Sequence, residues 1–284
     1  MRQIVTAAES AARGSMKWPI PPGEGAGHAS FDASDYWDLR HGQLQYENVY
    51  SVTDDSELRV KLVNLLRAGI QSGEPSQVLI PGCGSRACLE RELVESFPFL
   101  SVLATDYPGV VEAAARRLCH PRVKFASKDT RNLDLRPEFD AAVVINSVLS
   151  DCDPDNRAML KSVHAALRPN GLLVGLFPTI FAPADIGFCE ERERWRLELV
   201  DLSNSRYCFD EYAKTTHILY TPLRLRAILH EAGFVAPSME IFFCESPCLR
   251  DEAYRIYGLE GEDLVLYELL VTSRKVASMS VGHS

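Results

Sequence analysis

Residues 77–87 read Gln-Val-Leu-Ile-Pro-Gly-Cys-Gly-Ser-Arg-Ala, and they limit what this chain can become more than any other segment. A short β-type apolar run, Val78 to Ile80, stops at Pro81. Gly82 and Gly84 follow, and a helix-period segment begins behind them. A strand that ends in a glycine turn and feeds a helix N-terminus brings bare backbone N–H groups close to a bound ligand. Asp106 follows the next apolar run, Leu100 to Ala104. That places a carboxylate at the tip of a second strand, suited to accept hydrogen bonds from a ribose diol. Together the two features point to a nucleotide-type cofactor.

With 284 residues the chain has room for one large domain, or for one domain with a cap. Residues 1–30, rich in Ala, Gly, Pro and Ser, read as a flexible leader. Residues 31–74 read as an N-terminal helical cap, aromatic at first and then amphipathic, with Leu58, Leu62, Leu65 and Leu66 on one face. From 75 to 284 strands and helices alternate. Strands are expected at 77–81, 100–105, 122–125, 139–146, 171–177, 239–244 and 263–273, and helices at 86–97, 109–118, 154–168 and 222–232. Asp153 with Pro154, and Thr221 with Pro222, look like helix starts. The alternation predicts an α/β fold, doubly wound on a mostly parallel seven-stranded sheet. The last two strands have no convincing helix between them, so the last is expected antiparallel. Residues 180–220 interrupt the pattern after the fifth strand as a partly helical insertion, placed to cover a substrate.

A formal charge of −9, with arginines scattered among acids, argues against a nucleic-acid partner. The eight cysteines fall mostly singly and form no four-ligand zinc pattern, which predicts reduced thiols and no metal. No run approaches the roughly 20 apolar residues of a membrane span, and the N-terminus lacks the apolar core of a signal peptide. The expectation is a cytoplasmic protein, monomer or homodimer, with a small-molecule substrate and no membrane partner.

Gly82-x-Gly84-x-x-Ala87 with Asp106 downstream also fits a dinucleotide fingerprint. The wider chain, over roughly residues 75–275, resembles a class I S-adenosylmethionine-dependent methyltransferase of Rossmann-like fold. Val78 to Ser85 resembles the first motif of that family. Asp106 matches its ribose-binding acid, and Lys128-Asp129-Thr130 its adenine-side acid. Phe139-Asp140 leading into Asn146 resembles the fourth strand, Leu167 to Gly175 the approach to the fifth, and Thr221 to Phe234 the helix before the sixth. The resemblance implies S-adenosyl-L-methionine as cofactor, held by Pro81, Gly82, Cys83, Gly84, Asp106, Tyr107, Asp129, Thr130, Asn146 and Ser147. One departure stands out, since the family usually carries an acid where this chain has Pro81. The Pro-Gly-Cys-Gly form is similar to that of thiopurine and thiol methyltransferases. Plainer roles stay open: Asp106 as a helix cap before Pro108, Asp129 as the cap of a turn, and Asn146 and Ser147 as partners for backbone at a strand end.

A sulfonium methyl is already activated, so such an enzyme works mainly by positioning, which supplies roughly 7–11 kcal/mol. Few obligatory catalytic residues are then written in a sequence. A hydroxyl or protonated amine acceptor needs a base, and His217, near Tyr207, Tyr212 and Tyr220 in the insertion, is the candidate. A structural histidine is its alternative. Trp37, Tyr46, Tyr50, Thr179, Tyr207, Tyr212 and Tyr220 are the candidate substrate contacts. The expected activity is methyl transfer to O, N, S or C of a small molecule. The alternatives are an NAD(P)-dependent oxidoreductase using the same turn, and a cofactor-binding protein without transferase activity.

Overall fold

The computed structural model describes residues 52–70, 73–189, 197–210, 215–243 and 267–276. Its centre is a seven-stranded sheet. In chain order the strands are β1 (Ser76–Pro81), β2 (Leu100–Asp106), β3 (Val123–Ser127), β4 (Phe139–Ile145) and β5 (Leu167–Pro178). Then come β6 (Val200–Asp201), β7 (Arg206–Asp210), β8 (Thr215–Ile218), β9 (Phe234–Phe243) and β10 (Tyr267–Lys275). The large sheet runs β3-β2-β1-β4-β5-β10-β9. Its first five strands pair in parallel, and β10 is antiparallel to both β5 and β9. The central strands are apolar on both faces because helices cover both, as a parallel sheet demands.

The helices are α1 (Ser56–Gly69), α2 (Cys88–Ser96), α3 (Pro108–Arg117), α4 (Asp153–Ala166), α5 (Phe181–Cys189) and α6 (Pro222–Glu231). Leu58, Leu62 and Leu66 of α1 and Leu89 and Leu93 of α2 pack on Val78, Ile80, Val102 and Val143 on one face of the sheet. On the other face, Leu160 and Val163 of α4 and Leu225 and Leu229 of α6 pack on Leu79, Val144, Leu173 and Leu269. Asp55 caps α1, accepting from the Glu57 and Leu58 N–H groups, and Thr221 caps α6 by accepting from Arg224 N–H. At α4 the cap falls one residue earlier than expected, on Cys152, which makes no side-chain cap. The Asp153 carboxylate is instead drawn to Arg224 at 2.6 Å, which ties α4 to α6.

The interruption after β5 is partly helical, as expected, and adds strands that were not expected. Within the described residues it holds one α-helix, α5, a 3-10 turn at 197–199, and an antiparallel sheet ordered β6-β7-β8. It is stitched to the main domain at one end of the sheet. Ile218 N–H donates to the Ser150 carbonyl at 3.1 Å and Tyr220 N–H to the Pro178 carbonyl at 3.0 Å. β9 also begins earlier than expected, at Phe234, and carries Pro237 inside it. It is an edge strand, where a missing N–H is tolerated.

Candidate functional site

The first four parallel strands deliver their carboxyl ends to one rim, the place where open α/β sheets gather ligands. At β1 the chain turns on Gly82 and Gly84, with φ of 66° and 67°, conformations that favour glycine. Gly82 N–H and Cys83 N–H both donate to the Thr105 carbonyl of β2, at 2.7 and 3.1 Å. Gly84 N–H donates to Asp106 Oδ2 at 2.9 Å, and Tyr107 N–H to Oδ1 at 2.8 Å. The turn is thus built on the second strand. Tyr107, not Asp106, is the N-cap residue of α3, and Asp106 stands one position before it.

Cys83 lies buried in this turn. Burial pushes its thiol up, and the Asp106 and Glu90 carboxylates push the same way. Pro81 ends β1 opposite Thr105 and brings no carboxylate to the rim.

After β3, Asp129 caps a short 3-10 turn containing Thr130, accepting from Arg131 N–H at 2.8 Å. The same carboxylate holds the Arg131 guanidinium at 2.7 Å, and that hydrogen bond lowers its pKa. Arg131 reaches on to Asp155 of α4 at 3.2 Å. The turn-capping role expected as an alternative for Asp129 is therefore realised.

After β4, Asn146 adopts a φ of 47° and donates from its backbone N–H to the Leu176 carbonyl at 3.0 Å. Its Nδ2 donates to Glu268 Oε1 at 2.7 Å. The next residue, Ser147, presses on the glycine turn.

The candidates in and just before the insertion separate. Thr179 is buried and bridges to Tyr220, and its hydroxyl accepts from Phe181 N–H at 3.3 Å. Tyr220 is fully buried against Phe177, and its hydroxyl donates to the Val148 carbonyl at 2.8 Å. Burial raises its pKa further. These contacts make Tyr220 a core residue, which corrects its expected place among the substrate contacts. His217 on β8 is buried and pairs across from Tyr207 on β7, next to the Ile218–Ser150 stitch. Trp37, Tyr46, Tyr50 and Tyr212 lie outside the described residues.

Two carboxyls at the site escaped sequence reading. Glu268 is the second residue of β10, is 4% exposed, and burial pushes its pKa up to about 7. Glu90 of α2 is 1% exposed, and burial likewise holds it at about 7, with Asp106 adding to the rise. The available signal was a lone acid inside an apolar helix face or strand. Among the described residues no cluster of three or more His, Cys, Asp or Glu is arranged to hold a metal ion, and no helix is long and apolar enough to cross a membrane.

Residues 78–171, a third of the chain, match the family described as methyltransferase domain. No curated protein matches the chain. Among solved structures, a SAM-dependent methyltransferase from Methanosarcina mazei has a TM-score of 0.56 at 17% identity, over 75% of this chain and 97% of that one. The 1,6-didemethyltoxoflavin-N1-methyltransferase of Burkholderia thailandensis, solved with 1,6-didemethyltoxoflavin and S-adenosylhomocysteine, has a TM-score of 0.55 at 20% identity, over 91% and 94%. The N-methyltransferase NodS of Bradyrhizobium japonicum, in complex with S-adenosylhomocysteine, has a TM-score of 0.53 at 18% identity, over 85% and 97%. At these identities the likeness is one of fold. The fold is that of the Rossmann-like methyltransferases, and residues 78–171 are similar in sequence to a methyltransferase domain.

Proposed function

We propose that this chain is an S-adenosylmethionine-dependent methyltransferase acting on a small-molecule acceptor. The observation that carries the reading is the bond from Gly84 N–H to Asp106 Oδ2, which sets the glycine turn and the ribose-side carboxylate at one rim. The residues present fit such a cofactor. The turn between Gly82 and Gly84 offers main chain with no Cβ, and Asn146 Oδ1 and Ser147 Oγ are buried beside it without protein partners.

When bound, S-adenosylmethionine supplies a methyl group already activated by its sulfonium. In this reading Gly82, Cys83 and Gly84, with Pro81 before them, would border the sulfonium. Asp106 and Tyr107 meet the ribose, Asp129 and Thr130 the adenine, and Asn146 and Ser147 the remaining end. His217 would take the acceptor's proton, and the 180–220 insertion with residues 31–74 would keep water out. Residues 1–30 are taken as a leader, 75–284 as the catalytic domain, and the protein as cytoplasmic, a monomer or homodimer.

A dinucleotide enzyme is the less favoured reading. Dinucleotide folds carry a parallel sixth strand, whereas β10 is antiparallel between β5 and β9. Thermal unfolding with added ligand separates the two. S-adenosylhomocysteine should raise the midpoint and NAD should not. The reverse outcome overturns the proposal. Transfer of labelled methyl from S-adenosylmethionine to a panel of small amines, phenols and thiols tests the activity, and His217→Ala should lower turnover more than cofactor affinity.

A further inference from the structure

Glu268 comes from the last strand described, far in sequence from the glycine turn, yet it is joined to the rim through one side chain. It sits opposite Pro178 of β5 and Phe242 of β9. Its Oε1 accepts from Asn146 Nδ2, while its Oε2, Asn146 Oδ1 and Ser147 Oγ are all buried with no protein partner. Buried polar atoms left unmatched are costly, and three so close together mark a place where a ligand completes the set.

The bond also has a direction. A carboxylate oxygen can only accept, so it takes the N–H end of the amide and leaves the carbonyl Oδ1 facing elsewhere. Asn146 holds a left-handed backbone that asparagine tolerates better than most residues, which fixes where its side chain starts. All three unmatched atoms can accept, which suits an N–H donor. Burial keeps the Glu268 carboxyl near neutrality, at about 7, so a cation brought alongside would favour its ionised form.

The order of strands says which part of a ligand arrives there. Asp129 follows β3 and Asp106 ends β2, so in the cofactor reading proposed above adenine and ribose would lie on that side of the rim. What remains of the molecule would then run past the turn at β1 toward β4, where Ser147 touches Gly82.

We infer that Glu268 is a positioning residue for the amino-acid end of the cofactor: it turns the Asn146 amide so that Oδ1, with Ser147 Oγ beside it, accepts from the ligand's ammonium. The inference rests on the cofactor reading proposed above.

Calorimetry with S-adenosylhomocysteine and with 5′-methylthioadenosine, which lacks the amino-acid end, tests it. Glu268→Met should weaken S-adenosylhomocysteine at least about tenfold and 5′-methylthioadenosine less than about twofold. Glu268→Gln, which can still accept from Nδ2, should restore S-adenosylhomocysteine to within about threefold of the unaltered protein. Asn146→Gly keeps the backbone conformation and should show the same split, and adding Glu268→Met to it should change little further. Four results each overturn the inference: unchanged S-adenosylhomocysteine binding in Glu268→Met, equal loss of both compounds, no recovery in Glu268→Gln, or normal binding in Asn146→Gly. If the unaltered protein binds neither compound, the cofactor reading fails along with it.

Discussion

Gly82 and Ser147 stand so close that a Cβ built on Gly82 would lie 2.2 Å from Ser147 Cβ. The end of β1 and the end of β4 are therefore in direct contact, and only a residue without a side chain permits it. The left-handed backbone at Gly82 adds a second reason for glycine there. The contact joins the turn to Asn146 and, through it, to β10.

Gly82→Ala should destabilise the fold by roughly 2–4 kcal/mol, combining left-handed strain with the clash. Urea unfolding measures the loss. Gly82→Ala with Ser147→Gly should recover the clash and not the strain. Full recovery would mean that backbone conformation contributes nothing at this position.

Asp106→Ala should weaken S-adenosylhomocysteine binding by about 1–3 kcal/mol, since ribose and turn lose a shared acceptor. Asp106→Asn is the sharper variant. It keeps the size but turns an N–H donor toward either Gly84 N–H or Tyr107 N–H, so it should bind more weakly than the unaltered protein. Equal affinities in calorimetry would remove Asp106 from the site.

Glu90 makes stability depend on pH with a defined sign. Its folded pKa of about 7 lies above its ordinary 4.5, so the folded state holds the proton more tightly than the unfolded chain. Its contribution to stability is therefore fullest below about 4.5, declines as pH rises toward 7, and levels off above that. Glu90→Gln should remove this decline, worth roughly 3 kcal/mol by pH 8. The stability difference between variant and unaltered protein should grow from pH 5 to pH 8 in chemical denaturation. A constant difference contradicts the assignment.

Tyr220→Phe removes the hydroxyl that donates to Val148 and leaves the ring against Phe177. It should cost about 1 kcal/mol of stability and leave cofactor and acceptor kinetics unchanged. A KM shift without a stability change would return Tyr220 to the substrate site.

The glycine turn, Asp106 and the Thr221-Pro222 helix start were legible because each is a local pattern, in which neighbours along the chain decide the backbone. Asn146 and Ser147 were legible as a strand end. Glu268 and Glu90 were not. Nothing in Tyr-Glu-Leu-Leu-Val says whether the acid points to water or to a partner 122 positions earlier in the chain. Pro237 hid the first half of β9, because a proline stops a strand reading unless the strand is already known to be an edge. Tyr220 looked available because aromatic residues near a histidine suggest a pocket, while its burial depends on β5 and the β4 rim meeting around it.

The position of β10 between β5 and β9 has a consequence for biosynthesis. A ribosome releases the parallel half of the sheet first, and β5 emerges with its outer flank open. β9 then follows with nothing to lie against, and both wait for residues 267–275. A nascent chain halted before that segment exposes two sticky strands at once and lacks the carboxyl that orients Asn146. Folding of this domain is therefore completed by its latest described strand, and chaperone demand should peak in the interval before that strand arrives.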